Sequence, residues 1–254
     1  LAQAALASPR TAIVDTHALM LAYQGEAEAH GAAVVLHAEV RGIAAGDDGF
    51  LVDVADADGA VTQLACQVLV NAAGIWATPL ARTSAALPAS AIPHIHLAKG
   101  AFFSLAGASP FARLIVPAPR WHLSGGIYTL DLAGQGRFGP DVEWVDQVDY
   151  TIDPARAGHF YDAVRRYYPD LSDNALAPAY TGIRSRLNGP GEEMADWILH
   201  GPAEHGLAGL VNLFGVGSPG ITGSLAIADV VADMLAGTPF ATALDGMRAT
   251  LHPA

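Results

Sequence analysis

Residues 68–76 read VLVNAAGIW, and this stretch decides the class of fold. Its first three residues are apolar without polar alternation, which is typical of a parallel strand covered on both faces. They pass directly into a turn of small residues, and an amphipathic segment begins at Ile75. This succession predicts a strand, a small-residue turn and a helix, as in a domain of the α/β class.

The sequence before this stretch predicts one helix and several strands. Asp15 or Thr16 would cap a helix that stops at Gly31. Short β-branched runs separated by turns rich in Gly and Asp come after it. They predict strands at 33–43, 49–55, 61–66 and 67–72.

The sequence pattern changes at about residue 84, where predicted strands interrupted by Pro indicate an inserted antiparallel sheet. Its strands are predicted at 92–105, 113–117, 126–132 and 142–150. A helix capped by Asp153 begins at Pro154 and ends before Pro169. Strands at 195–199 and 207–214 and a helix at 221–235 then return to the first domain. We therefore predict segments 1–83 and 181–254 in one domain and 84–180 in another.

Composition and charge exclude several classes of function. The chain has 254 residues, of which 52% are hydrophobic and 15% charged, so a disordered tail is excluded. The formal net charge of −12 repels nucleic acid and anionic membranes. No apolar run reaches the roughly 20 residues of a membrane span, so we expect no membrane-spanning helix in this sequence. Cys66 is the single cysteine, and we read it as a buried thiol in a reducing, cytoplasmic protein.

Two stretches match the pattern Gly-x-Gly-x-x-Gly. Residues 134–139 precede another strand-like run, so we interpret them as a hairpin loop. Residues 215–220 lie between an apolar strand and a helix that starts near Pro219, so backbone N–H groups there could face an anion or an electron-rich ring. A tight turn that only packs the last helix on the sheet is the alternative. A nicotinamide-dependent enzyme is disfavoured because no further strand with an acidic tip comes after that helix.

Five ordered motifs resemble the FAD-dependent oxidoreductases of the D-amino-acid oxidase superfamily, and most closely its L-2-hydroxyglutarate dehydrogenase and oxidase branch. The resemblance extends from Thr11 to Leu235. The motifs are AIVD (12–15), VNAAGIW (70–76), KGAFF (99–103), TGIR (181–184) and GSPGIT (217–222).

The resemblance implies a mixed α/β fold, in which an incomplete Rossmann-like FAD domain carries an inserted antiparallel-sheet substrate domain. Segments 1–83 and 181–254 would bind FAD, segment 84–180 would bind substrate, and the flavin would lie at their junction. Val40 would contact the adenine through its backbone. The remaining cofactor contacts implied are Ala72, Ala73, Gly74, Trp76, Gly215, Gly217, Ser218, Pro219, Gly220, Ile221 and Thr222.

The start of the chain departs from the family pattern. Family members begin with a strand, a glycine-rich turn, a helix and an acidic ribose ligand, and nothing before Thr11 supplies them. Because the sequence opens with Leu1 rather than Met, we expect a piece of a longer protein. The alternative to an active enzyme is a truncated, non-catalytic fragment that binds a small carboxylate or a partner but not FAD on its own.

Oxidation of a 2-hydroxy or 2-amino acid requires a cation for the carboxylate, a base for the proton and a flavin for the hydride. Arg184 is the first candidate for the cation, because a guanidinium can bind a carboxylate through two parallel hydrogen bonds. Arg186 is the second candidate. His94 and His96 are predicted on one face of a strand, with His96 as base and no metal, since no Cys or carboxylate cluster accompanies them. Lys99 could face the flavin or a second substrate carboxylate, or be a solvated edge lysine.

Residues near a hairpin and two tryptophans are further candidates for the site. Tyr128 and His122 lie near a hairpin where relatives carry a histidine, although the best-aligned position here is Ile127. Trp76 and Trp121 could flank an aromatic ring or belong to the core. We therefore predict FAD-dependent oxidation of a small 2-hydroxy acid, such as L-2-hydroxyglutarate, or of an amino acid, with oxygen or a quinone as electron acceptor.

Overall fold

A computed structural model of the chain describes residues 4–118 and 125–236. The chain divides into two compact units. Unit 1 is formed by residues 1–25 and 97–183, and unit 2 by residues 26–96 and 184–254. The domain limits expected from the sequence, 83/84 and 180/181, stay predictions.

The described residues form strands and helices of very unequal length. The strands are β1 (Glu39–Gly46), β2 (Gly49–Ala55), β3 (Val61–Cys66), β4 (Leu69–Asn71), β5 (His96–Leu105), β6 (Tyr128–Leu130), β7 (Gly136–Phe138), β8 (Glu143–Val145), β9 (Leu176–Arg186), β10 (Ile198–His200) and β11 (Leu210–Phe214). The helices are α1 (Thr16–Ala29), α2 (Ala77–Ala81), α3 (Ala157–Val164), α4 (Pro202–His205) and α5 (Gly220–Leu235), with 3₁₀ turns at Gly74–Trp76, Ala89–Ala91 and Pro154–Arg156.

Local capping signals confirm two predicted helix starts. The Asp15 carboxylate accepts hydrogen bonds of 3.0 Å from the backbone N–H groups of His17 and Ala18 at the start of α1. The Asp153 carboxylate accepts from the N–H of Ala155 at 2.9 Å. Each cap satisfies backbone donors that a helix start leaves unpaired. None of the helices in the described ranges is both long and apolar enough to cross a lipid bilayer.

The described residues of unit 2 form two three-stranded sheets. β1, β2 and β3 form an antiparallel meander, and the second sheet has the order β10-β11-β4. The strand expected at 33–43 begins only at Glu39, because His37 adopts a φ of +56° and ends the extended run before it. The core of the unit is apolar and consists of Ile43, Phe50, Ala77, Ala81, Leu87, Leu210 and Phe214.

β4 confirms the parallel strand expected from residues 68–70, since it pairs in parallel with β11. Coverage on both faces is wrong for Val70, whose side chain is 40% exposed. β4 also forms the edge of its sheet in the described residues, so one side of the strand lacks a paired neighbour.

Unit 1 is built on the expected antiparallel sheet, with the order β6-β7-β5-β8 and β9 paired to β5. β5 begins at His96 rather than at residue 92, because Pro93 cannot donate to a ladder and restricts Ile92. The core under the sheet is Ala101, Phe103, Leu105, Tyr128, Phe138, Phe160, Val164, Leu171 and Leu176. Residues 134–139 lie in and after the hairpin turn between β6 and β7, as predicted.

Candidate functional site

The parallel pair of β4 and β11 brings two sequence motifs to one sheet edge. Their register pairs Leu69 with Leu210 and Asn71 with Asn212. Because parallel strands end at the same edge, the turn at 72–74 and the turn at 215–220 start side by side. In open α/β sheets, ligands bind at this carboxyl edge.

Asn71 shapes the first of these turns. Its side-chain oxygen accepts from the N–H of Ala73 at 3.3 Å, and its Nδ2 donates to the carbonyl of Ala77 at 2.9 Å. Gly74 has a φ of +59°, and a Cβ built there would meet nothing within 4 Å. Trp76 comes next, with 58% of its surface exposed. The turn therefore presents backbone and an aromatic ring without protein packed over Gly74.

The second turn approaches α5. Gly215 has a φ of +70°, and a Cβ there would lie 2.8 Å from Cγ of Leu187, so this position requires glycine. A Cβ at Gly217 would meet atoms only at 3.8 Å or more. α5 starts at Gly220 with Pro219 as N-cap and no side-chain cap on its first N–H groups. These N–H groups carry the partial positive charge of a helix start.

Arg184 lies beside this second turn. A Cβ built on Gly217 would lie 3.9 Å from the Cβ of Arg184 and 3.8 Å from the carbonyl oxygen of Ser185. The structure thus brings together two motifs, TGIR and GSPGIT, that lie more than 30 residues apart in the sequence. The second candidate cation, Arg186, has Nη1 3.6 Å from Sδ of Met194.

The chemical types of the residues around the two turns are compatible with a bound flavin dinucleotide. Backbone N–H groups at the start of α5 suit the electron-rich edge of a flavin. Exposed apolar side chains, which include Trp76 and Ile221, suit ring faces. Val40 lies on β1 beside a register shift between Val40 and Gly42 and is 38% exposed, and its contact with the adenine stays a prediction.

Lys99 is surrounded by carboxylates in unit 1. Its Nζ lies 3.2 Å from Oδ2 of Asp149 and 3.4 Å from Oε2 of Glu143, and it donates to the carbonyl of Thr151 at 3.2 Å. Only 6% of the residue is exposed. Burial opposes the charged form, but the hydrogen bonds and charges of Asp149 and Glu143 outweigh it, so the pKa of Lys99 is raised. Its contacts are those of a buried structural cation, and its catalytic role stays a prediction.

Tyr128 lies in the core of unit 1. It is fully buried, its ring packs on Phe111 and Phe138, and its hydroxyl is hydrogen-bonded to Ser109. A hydroxyl in this position is satisfied without any ligand. A role of Tyr128 in catalysis also stays a prediction.

His96 is the first residue of β5, whereas His94 lies before the strand. Their rings meet edge-on at 4.6 Å, and Nε2 of His96 would be 3.2 Å from a Cβ on Gly189. Within the described ranges, no three Cys, His or acidic side chains are grouped to hold a metal ion. His122 and Trp121 lie outside the described residues, and Ile127 accepts a backbone hydrogen bond from Gly139.

Sequence reasoning did not select Asn212, Asp141 or Arg156. Asn212 is 1% exposed and receives a hydrogen bond from Asn71. The Asp141 carboxylate is buried and accepts from the N–H of Ala101 and from the Arg156 guanidinium. A polar residue inside the apolar strands LVN and LVNLF was the available signal for the asparagines, whereas nothing local marks the Asp141 pair.

A parallel strand pair with an open glycine turn before a helix is an arrangement that nucleotide-binding α/β domains use. Residues 1–234 match the family model described as "DAO: FAD dependent oxidoreductase", and the chain belongs to this family. The match confirms the predicted family and, with it, FAD as the cofactor.

Known proteins with similar sequence and structure agree. The mitochondrial L-2-hydroxyglutarate dehydrogenase of Arabidopsis thaliana is 38% identical over 268 residues, which cover 90% of this chain and 55% of that protein. FAD-bound L-α-glycerophosphate oxidase from Mycoplasma pneumoniae has a TM-score of 0.61 at 21% identity, over 78% of this chain and 50% of that one. Glycine oxidase from Bacillus cereus has a TM-score of 0.61 at 20% identity, over 86% and 55%. The two structures confirm the mixed α/β fold, and the chain spans about half the length of each of these proteins.

Proposed function

We propose that the protein containing this chain oxidises a small 2-hydroxy acid of the L-2-hydroxyglutarate type. FAD, when bound, supplies the acceptor for the hydride that leaves the α-carbon. The observation that carries the proposal is the position of Arg184 beside Gly217, in the turn that we expect to face the flavin. The 38% identity to an L-2-hydroxyglutarate dehydrogenase supports this substrate class.

In this proposal each residue has a distinct task. The Arg184 guanidinium binds the substrate carboxylate through two parallel hydrogen bonds and so orients the α-carbon. The start of α5 places backbone N–H dipoles toward the flavin edge that gains negative charge on reduction. His96 takes the proton of the substrate hydroxyl at a ring nitrogen.

Substrate choice is tested by anaerobic mixing of the oxidised flavoprotein with L-2-hydroxyglutarate, glycine or α-glycerophosphate. We expect rapid loss of the oxidised-flavin absorbance with the first compound only. Reduction by glycine or α-glycerophosphate, and not by any 2-hydroxy acid, would refute the proposed substrate class. Reoxidation by oxygen or by a quinone analogue then identifies the electron acceptor.

Arg184→Lys tests the carboxylate contact. Losing one charge-assisted hydrogen bond costs about 1.5–3 kcal/mol, so we expect KM for the hydroxy acid to rise roughly 10- to 100-fold while flavin content is unchanged. The exposed Arg113→Lys is the matched control and should leave both quantities as they are. An unchanged KM in Arg184→Lys would remove this residue from the substrate site.

A second candidate is that residues 1–254 alone do not retain FAD. It is favoured by the apolar side chains that α5 leaves exposed, Leu225 above all. The polypeptide expressed with excess FAD would then purify associated and colourless. A monodisperse preparation with one FAD per chain would exclude this candidate.

A further inference from the structure

The carboxyl edge of the β4–β11 pair contains two buried amide side chains. Asn71 and Asn212 are 2% and 1% exposed, and they occupy the same register in the two parallel strands. The neighbouring positions of both strands are apolar. An apolar pair would fill this place without the cost of burying polar groups, so the two amides need an explanation beyond packing.

The hydrogen bonds of Asn71 join three separate pieces of unit 2. Nδ2 donates to Oδ1 of Asn212 at 2.9 Å and to the carbonyl of Ala77 at 2.9 Å, while the side-chain oxygen accepts from the N–H of Ala73 at 3.3 Å. Asn71 therefore ties the turn at 72–74 and the start of α2 to strand β11. Buried hydrogen-bond networks of this kind favour one local geometry.

Asn212 extends this connection toward the second turn. It lies three residues before Gly215, on the strand that carries the turn at 215–220. Leu213 and Phe214 continue the ladder with β10, so β11 is held on its other side as well. The spacing between the two turns thus depends on one side-chain hydrogen bond in addition to the backbone ladder.

We propose that Asn71 and Asn212 are positioning residues for FAD, which fix the distance between the turns at 72–74 and 215–220. The proposal rests on the FAD site and not on the substrate assigned above. A shift of either turn moves backbone N–H groups relative to the flavin edge. Both the affinity for FAD and the reduction potential of the bound flavin then change.

The test uses the flavin-containing protein and two variants, Asn212→Leu and the double variant Asn71→Leu/Asn212→Leu. The single variant leaves a buried donor of Asn71 unpaired, so it should lower the apoprotein's stability as well as FAD affinity. The double variant removes that unpaired donor, but the carbonyl of Ala77 and the N–H of Ala73 lose their side-chain partner, so its apoprotein should also be less stable than the wild type. We expect the folded double variant to bind FAD at least about tenfold more weakly and to have a shifted flavin potential, which a loss of stability alone would not produce.

Thr78→Val is the matched control. Thr78 is buried in α2 next to this region, and within the described residues its hydroxyl has no hydrogen-bond partner. Its replacement should leave the FAD dissociation constant and the potential unchanged. Because these readouts involve no substrate, an error in the proposed substrate does not affect them.

Two results would overturn the proposal. One is a double variant with wild-type FAD affinity and wild-type flavin potential. The other is a Thr78→Val variant that changes both quantities as much as the double variant does. If Asn212→Leu does not fold, the double variant still decides.

Discussion

The two Gly-x-Gly-x-x-Gly stretches share a pattern and differ in what occupies the space beside them. Beside the last two glycines of residues 134–139, protein fills that space: a Cβ on Gly136 would lie 2.5 Å from the hydroxyl of Tyr128, and one on Gly139 would lie 2.8 Å from the carbonyl of Ala101. In residues 215–220, Gly217 has only ordinary contact distances around it. Gly136 and Gly139 therefore let the core of unit 1 close, whereas Gly217 is the glycine of the second stretch that is not crowded by neighbouring atoms.

The residues on the C-terminal side of each stretch explain this difference. After Gly139 the chain continues into Pro140 and the buried Asp141, whose carboxylate accepts from the N–H of Ala101 and from Arg156. After Gly217 the chain enters a helix of 16 residues that has no side-chain cap. A glycine pattern thus indicates a cofactor only where a helix start faces open space.

The largest effect that would test this comparison is expected for Gly139→Ala. The position has a φ of +141° and would place Cβ against backbone, so strain and overpacking together should lower the free energy of unfolding by about 2–5 kcal/mol. Gly134→Ala, also at positive φ but in open space, should cost about 1 kcal/mol. Urea denaturation measures both, and equal losses would contradict the assignment of residues 134–139 to packing.

A smaller effect should separate the glycines within the second stretch. Gly215→Ala meets Leu187 and should lower the free energy of unfolding by about 1–3 kcal/mol. Gly217→Ala should change it by less than about 0.5 kcal/mol and yet raise the FAD dissociation constant about tenfold. Denaturation and FAD titration give the two quantities, and wild-type FAD affinity in Gly217→Ala would show that this glycine does not approach the cofactor.

The smallest expected effect is a difference in acid sensitivity between the units that carry the two stretches. In unit 2, burial lowers the pKa of His205, and the smaller influences of His200 and Glu204 do not reverse this direction. Folding therefore favours the neutral ring, and stability present above about pH 6.5 should decline below it. In unit 1, hydrogen bonds from the N–H and hydroxyl of Thr151, and then Lys99, lower the pKa of Asp149 to about 2. The stability that the ionised Asp149 contributes should therefore persist until the pH falls below about 4, and it should be lost as the pH approaches 2.

Urea denaturation at several pH values checks this difference. His205→Gln should flatten the decline just below pH 6.5, and Asp149→Asn should flatten the decline between about pH 4 and 2. If Asp149→Asn instead removed the slope near neutral pH, the assignment of the two pH ranges would be wrong.

Features governed by neighbours in sequence could be predicted, and those governed by distant contacts could not. The caps at Asp15 and Asp153 and the hairpin at residue 134 arise from short-range geometry that the residues themselves specify. β9 was not predicted over its full length, because Pro178 and Gly182 weaken the strand signal. Its pairing with β5 outweighs that local preference.

The candidate site shows the same division. The glycine turn and the Arg184 motif could be selected because each is a short motif with its own chemistry. The ion pair of Lys99 could not be predicted from the sequence, because its partner Asp149 lies 50 positions further along the chain. The burial of Tyr128 could not be predicted either, because the residues that cover its ring, Phe111 and Phe138, come from other segments.

The pairing of β4 with β11 also sets an order of events during synthesis. Asn71 and Asn212 are 141 positions apart, and residues 97–183 of unit 1 lie between them. Closing so long a loop costs chain entropy, and prior folding of the intervening unit shortens the loop that must close. The sheet edge formed by β4 and β11 is therefore completed late, after unit 1 has emerged from the ribosome. A substitution that prevents unit 1 from folding can hinder the pairing of β4 with β11 without altering any residue of either strand.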